Sequence, residues 1–96
     1  MLTDTKKILQ KAHRQNYSVG HFNINNMEIL QGIIQAAVNL KSPVIVATSE
    51  GAIKYAGINF LRDLSYTAAE LANVPVALHL DHGKDMKTIR ECIKLG

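Results

Sequence analysis

Apolar and polar residues alternate along the chain in two periods, one typical of strands and one typical of helices. Three short runs rich in β-branched and aliphatic residues predict strands, at residues 17–22, 44–48 and 76–80. Around these runs, apolar residues recur every three or four positions, as they do on one face of a helix. The resulting order, a helix followed by three strand–helix units, is typical of a parallel α/β architecture.

The first two predicted helices have recognisable start signals. The first covers residues 3–15, with Thr3 or Asp4 near its N-cap. The second follows residues 25–28, whose N-N-M-E sequence resembles a capping box. Its apolar stripe consists of Leu30, Ile33, Ile34, Ala37 and Val38. Ser42 and Pro43 end this helix, because proline lacks a backbone donor and restricts the residue before it.

Two more helices are predicted in the second half of the chain. Residues 49–57 contain glycine and are expected to form a loop, after which Asn59 caps a helix. The apolar face of that helix carries Leu61, Leu64, Ala68 and Leu71. The last helix begins near Met86 and has Gly96 at the position of a C-terminal cap. Because three parallel strands leave both sheet edges bare, we expect residues 1–96 to be the N-terminal part of a longer domain.

The composition is that of an ordinary globular protein, with 96 residues of which 47% are hydrophobic and 20% charged. The formal net charge of +3 is spread along the chain without a basic run, which argues against nucleic-acid binding. No segment approaches the roughly 20 apolar residues that a bilayer crossing needs, and the N-terminus lacks the apolar core of a signal peptide. The single cysteine, Cys92, cannot form an internal disulfide, so we expect a soluble, cytoplasmic protein.

Strand parity places polar residues on a common face. Residues two apart share one face of a strand, so Val76, Leu78 and Leu80 form an aliphatic face in the third strand. The opposite parity becomes polar toward each C-terminal end, in the sets Val19, His21 and Asn23, then Ile45, Ala47 and Ser49, then Ala77, His79 and Asp81. Because barrels and open parallel sheets carry their functional residues at the C-terminal ends of strands, we expect a site there.

Several of these polar residues have a simpler structural explanation. Asn23 and Ser49 are common residue types at strand ends and helix caps, and parity alone favours that role. His21 and His79 are expected to be hydrogen-bonded interior residues rather than metal ligands. His13, on the charged first helix, is expected to be solvated.

Asp81 and His82 require more explanation. A carboxylate at the end of an apolar strand is costly to bury unless it is paired or hydrogen-bonded, and the neighbouring imidazole is able to bind a metal. One histidine is not a metal site, however, and the chain contains no H-E-x-x-H or C-x-x-C motif to complete a ligand set. The residues alone therefore leave the presence of a metal open.

Three sequence segments are informative in combination: S-V-G-H-F-N-I-N-N at residues 18–26, K-S-P-V-I-V-A-T-S-E-G at 41–51 and V-P-V-A-L-H-L-D-H-G at 74–83. Together they resemble the class II fructose-bisphosphate aldolases of the ketose-bisphosphate aldolase family. The resemblance implies an α/β fold, a (β/α)8 TIM barrel of which residues 1–96 supply the N-terminal helix and the first three β/α units. It also implies a zinc-dependent lyase of glycolysis, homo-oligomeric when full length, that cleaves fructose 1,6-bisphosphate reversibly to dihydroxyacetone phosphate and glyceraldehyde 3-phosphate.

The resemblance implies roles for four residues of this sequence. Asp81 would be the catalytic acid/base that exchanges a proton with the C4 hydroxyl, and His82 would be one of the histidine ligands of Zn2+. Asn23 and Ser49 would help to bind the sugar bisphosphate substrate and its phosphate. No lysine lies at a strand end to form the Schiff base of the metal-free aldolases.

Two alternatives stay open at the level of sequence. Tagatose-bisphosphate aldolases of the same family have similar N-terminal thirds, and the residues that sense the C4 configuration cannot be identified in this sequence. A truncated, non-catalytic relic would keep the strand pattern without binding zinc or a sugar phosphate. In the aldolase interpretation the other zinc ligands and the base for the C1 proton lie outside these 96 residues, so the chain alone is expected to be inactive.

Overall fold

Five helices and three strands alternate along residues 1–96, all of which the computed structural model describes. Their bounds are α1 Thr5–Gln15, β1 Gly20–Asn23, α2 Met27–Asn39, β2 Val44–Ser49, α3 Glu50–Ala56, α4 Ile58–Leu71, β3 Val76–Asp81 and α5 Met86–Leu95. This order confirms the predicted helix and three strand–helix units and adds one helix, α3. The last helix ends at Gly96 with a φ of 84°, as the predicted cap requires. None of the helices combines the length and apolarity that a membrane crossing demands.

The three strands form one parallel sheet with β2 in the middle. In its register, Ala47 of β2 pairs with Asn23 of β1 and with His79 of β3. Two residues further along β2, Ser49 pairs with Asp81. The C-terminal ends of all three strands therefore lie at the same edge of the sheet, as the predicted parallel arrangement requires.

One face of the sheet packs against α2 and α4 and forms the main core. The buried residues of this core are Ile24, Leu30, Ala37, Val44, Val46, Ala52, Leu61, Ala69, Ala72, Val74 and Val76. Leu78 of β3 packs against the same cluster, so the aliphatic face predicted from parity is confirmed. Full burial of one such aliphatic side chain stabilises the fold by roughly 2 kcal/mol.

The opposite face of the sheet is covered by α1 toward the N-terminal ends of the strands. Ile8 of α1 packs there against Ile45 and Ala77. Ala12 of the same helix is also buried, whereas Leu9 is exposed. The C-terminal part of this face is left open to solvent, and that opening is where the polar side chains lie.

The N-terminal cap of α2 is Asn26 rather than Asn25, so the predicted capping box is wrong by one residue. Asn26 has an extended backbone, and its Oδ1 accepts a hydrogen bond from the N–H of Ile29 at 2.8 Å. Ile29 thus occupies the position three residues after the cap, where a capping box needs glutamate. Glu28 lies one residue earlier, still in the first turn, where its charge interacts favourably with the helix dipole.

Most of the segment predicted as a loop, residues 49–57, forms the short helix α3. Ser49 caps this helix, because its Oγ accepts a hydrogen bond from the N–H of Ala52 at 3.1 Å. Gly51 costs a helix about 1 kcal/mol relative to alanine. One good N-cap contributes a comparable amount, so the cap together with the burial of Ala52 offsets the glycine.

The start and the buried face of α4 also differ from prediction. Gly57, with a φ of 93°, separates α3 from α4, so α4 begins at Ile58 and Asn59 lies in its first turn instead of capping it. Of the predicted apolar face of α4, Leu61 is buried and Leu64 and Ala68 pack against the core, so this part is confirmed; the other buried residues are Ser65 and Ala69. Leu71 is 82% exposed, because the buried residues of α4 recur at every fourth position, 61, 65 and 69, and Leu71 lies off that face.

We predict that Asn26→Ala lowers the free energy of unfolding by about 1 kcal/mol, because it removes the acceptor for the Ile29 N–H. Urea unfolding followed by circular dichroism measures this loss. Asn25→Ala is the matched control and is expected to change the same free energy by less than about 0.5 kcal/mol. An equal or larger loss in the control variant would contradict the assignment of the cap to Asn26.

Candidate functional site

The four residues singled out in the sequence lie at one edge of the sheet. Asn23 is the last residue of β1, Ser49 the last of β2 and Asp81 the last of β3. His82 follows β3 directly. We call this edge the rim. It borders the part of the sheet face that α1 leaves open.

Asn23 and Asp81 are joined across the middle strand. The Nδ2 of Asn23 donates a hydrogen bond to Oδ2 of Asp81 at 3.0 Å. This bond holds the pKa of the Asp81 carboxyl below its ordinary value, because it stabilises the ionised form. Partial burial opposes the shift, whereas three nearby histidine side chains favour it. Asp81 is therefore an ionised carboxylate at neutral pH, fixed in orientation by the amide.

His82 lies in a sharp turn at the end of β3. Its φ of 69° is in the left-handed region, which is uncommon for residues other than glycine. Gly83 follows with a φ of 58°, and its N–H donates to the carbonyl of Asp81 at 3.0 Å. A Cβ at Gly83 would lie 3.3 Å from side-chain carbons of Leu80 and Ile89, so only glycine fits without displacement.

The turn leaves the His82 imidazole beside the Asp81 carboxylate. Its Nε2 lies 3.8 Å from Oδ2 of Asp81, too far for a hydrogen bond. The His82 side chain is 71% exposed, so its ring is free to rotate. The structure thus brings the predicted proton-transfer residue and the predicted metal ligand together. Their roles stay predictions.

His21 and His79 also lie beside the rim, on the face where strand parity placed them. Their rings contact each other edge to face, with centroids 5.2 Å apart and planes at 69°. One donor atom from each ring and one carboxylate oxygen of Asp81 all lie within 4.8 Å of one another. Both histidines are exposed in residues 1–96, which span about a third of the length of the relatives, so the expectation of interior histidines stays a prediction.

Ser49 has a structural contact of its own, because its Oγ caps α3. That contact matches the simpler explanation weighed for this residue. Ser49 and Asn23 nevertheless line the same shallow cleft beside the rim. The hydroxyl hydrogen of Ser49 is not used by the cap, since the oxygen acts there as an acceptor. The residue is therefore able to donate a hydrogen bond into the cleft.

The donor atoms of the rim fit a divalent metal. Imidazole nitrogens and carboxylate oxygens are the usual protein ligands of zinc and of other transition metals. The rim contributes the imidazoles of His21, His79 and His82 and the carboxylate of Asp81. Asp81 is ionised, as a carboxylate ligand has to be, and the three imidazoles are exposed and accessible to a cation.

Comparison with proteins of known name places the chain among aldolases. It is 48% identical over 96 residues to a fructose-bisphosphate aldolase of Thermus caldophilus and 43% identical over 96 residues to one of Giardia intestinalis. These matches cover 100% and 99% of this chain but only 31% and 30% of the relatives. The chain therefore spans about a third of their length.

A solved structure agrees with the sequence matches. The crystal structure of the YdjI aldolase from Escherichia coli K12 superposes with a TM-score of 0.93 at 34% identity. The match covers 100% of this chain and 38% of the other. The predicted fold class, a partial TIM barrel with its first β/α units, is thereby confirmed. The family model described as class-II fructose-bisphosphate aldolase matches residues 3–96, and the chain accordingly belongs to that family.

Proposed function

We propose that residues 1–96 form the N-terminal part of a single barrel domain in a zinc-dependent aldolase. The proposed reaction is the reversible cleavage of fructose 1,6-bisphosphate to dihydroxyacetone phosphate and glyceraldehyde 3-phosphate. Membership of the aldolase family supports the reaction class. The observation that carries the proposal is the carboxylate of Asp81, held by Asn23 and adjacent to His82 at the rim.

Aldol cleavage makes two demands on a site. A base has to accept the proton of the C4 hydroxyl, and the electron pair released from the C3–C4 bond has to be delocalised into the C2 carbonyl. When bound, a divalent metal polarises that carbonyl and supplies this second part of the chemistry. The proposed ligand for it within this chain is His82, whose exposed ring is free to turn toward a cation.

Asp81 is proposed as the base. A carboxyl whose pKa is at or below its ordinary value is ionised at neutral pH, so Asp81 is able to accept a proton when substrate arrives. The hydrogen bond from Asn23 holds one carboxylate oxygen and leaves the other available. Because the carboxylate is fixed before the substrate binds, less ordering is needed in the transition state.

Asn23 and Ser49 are proposed to bind the substrate. Only one N–H of the Asn23 amide is used by Asp81, so a second N–H and the carbonyl oxygen remain for sugar hydroxyls. The Ser49 hydroxyl is available to donate to a phosphate oxygen. Both side chains line the cleft next to the rim, which supports a shared ligand.

The remaining assignments follow from the aldolase proposal. The partner is a small sugar bisphosphate, and the full-length enzyme is proposed to be a cytoplasmic homo-oligomer that acts in glycolysis. We propose no nucleic-acid partner, because the positive charge is spread along the chain. We propose no membrane partner either.

A chimera tests the function directly. We predict that replacing the matching third of the Thermus caldophilus aldolase by residues 1–96 gives an enzyme that cleaves fructose 1,6-bisphosphate and loses activity on chelation. The 96-residue chain alone is expected to have no turnover, because it holds only three strands of the barrel. A folded but inactive chimera would favour a relic, and preference for tagatose 1,6-bisphosphate would replace the fructose assignment.

Two substitutions in that chimera separate the proposed roles. Asp81→Asn is expected to lower kcat by on the order of 10²- to 10⁴-fold, because it removes the proton acceptor, with bound zinc retained. His82→Gln is expected to lower zinc affinity by at least about tenfold. His13→Gln on α1 is the control. Steady-state kinetics and metal analysis of the purified proteins distinguish the cases, and full activity in Asp81→Asn would refute the assignment of the base.

Asn23→Ala is predicted to raise the pKa of Asp81, because the bond to the ionised carboxylate is lost. Carboxyl NMR shifts of the metal-free 96-residue chain, followed against pH, measure the change. A lowered pKa in the folded state stabilises the fold above the ordinary pKa of the carboxyl, and this stabilisation disappears as pH falls through the lowered value. The stabilities of wild type and variant should therefore converge in acid. An unchanged pKa in Asn23→Ala, or a rise in the control Asn25→Ala, would contradict this account.

A further inference from the structure

We propose that His21, His79 and Asp81 form a second divalent-cation position on the rim, distinct from the one proposed at His82. Each of the three residues offers one donor atom, and these atoms all lie within 4.8 Å of one another. Two residues belong to β3 and one to β1, so the position bridges the outer strands of the sheet.

The sheet register explains how the two imidazoles meet. His21 and His79 lie on the same face, on strands separated by β2. The residue of β2 paired with His79 is Ala47, which is fully buried and has only a methyl side chain. The residue of β2 paired with His21 is Ile45, so the two rings meet diagonally across β2, with their centroids 5.2 Å apart.

The distances require only side-chain movement. Donor atoms around a tetrahedral zinc ion with bonds near 2.1 Å lie about 3.4 Å apart. The atoms of this cluster are at most 4.8 Å apart, and both rings are exposed. Small rotations of the His21 and His79 side chains therefore bring their nitrogens into range without a change in the sheet.

The ligand set selects a class of cation. Two imidazoles and one carboxylate bind zinc in several hydrolytic enzymes and bind ferrous iron in oxygenases. Calcium and magnesium prefer oxygen ligands throughout. The cluster is thus suited to Zn2+, Co2+ or Fe2+, and unsuited to Mg2+.

His82 is outside this cluster, although its Nε2 lies 3.8 Å from Oδ2 of Asp81. The two positions have no ligand in common, but Asp81, a ligand of the second position, is the proposed base of the reaction. If Asp81 is the base of the proposed reaction, a cation bound to it competes with the proton of the C4 hydroxyl. Occupation of the second position is therefore inhibitory. This consequence rests on the proposed function, whereas the cation position itself does not.

Cobalt titration of the 96-residue chain tests the position, because Co2+ bound by nitrogen ligands absorbs visible light. We expect one tightly bound Co2+ that Zn2+ displaces and Mg2+ does not. His21→Gln and His79→Gln should each weaken binding by at least about tenfold. The matched control is His13→Gln on α1, which should stay within twofold of wild type.

Circular dichroism checks that each variant is folded, and NMR of the wild-type imidazoles gives a second measurement that needs no variant. Zinc should shift the ring resonances of His21 and His79 before those of His82. The proposal is overturned if cobalt does not bind to the wild-type chain. It is also overturned if His82→Gln weakens cobalt binding as much as His21→Gln does, or if neither His21→Gln nor His79→Gln changes the affinity.

The inhibitory consequence is tested in the aldolase chimera. His21→Gln should raise at least about tenfold the zinc concentration that half-inhibits turnover. An inactive chimera with the expected cobalt pattern would overturn the proposed function and leave the cation position standing. An active chimera whose zinc inhibition does not respond to His21→Gln would overturn the inhibitory position and leave the function standing.

Discussion

Ala47 lies at the centre of the sheet, paired with Asn23 on one side and with His79 on the other. This register determines which side chains meet, because residues of one parity share a face and parallel strands end at the same edge. With only a methyl group in the middle, side chains of the outer strands reach each other across β2. Asn23 donates to Asp81, and the ring of His21 meets that of His79. The rim therefore depends on strand pairing and on one small residue.

The sheet face beside the rim is apolar and packed at its N-terminal end and polar at its C-terminal end. Ile8 of α1 seals its N-terminal end against Ile45 and Ala77. The C-terminal end is open, so the Asp81 side chain stays 26% exposed and also accepts a hydrogen bond from the Asn23 amide. A carboxylate in this setting avoids most of the penalty of burial, which explains how an otherwise apolar strand can end in an ionised group.

The strands, their order and their two faces could be predicted from sequence because a period of two is a local property. The need of Asp81 for a partner also followed from the cost of an unpaired carboxylate, although its partner Asn23 did not. The cap of α2 was predicted one residue too early, because two adjacent asparagines both suit a cap. The segment that forms α3 was predicted to be a loop, because it contains Gly51. The surroundings of His79 depend on how far α1 extends over the sheet, which no local pattern encodes.

The left-handed backbone of His82 has a consequence for how this sequence would respond to selection. For a residue with a Cβ this conformation costs roughly 1 kcal/mol, whereas glycine adopts it freely. A laboratory screen for heat resistance alone would thus favour glycine at this position and discard the imidazole. Thermal robustness and ligand chemistry make opposite demands on this one backbone turn.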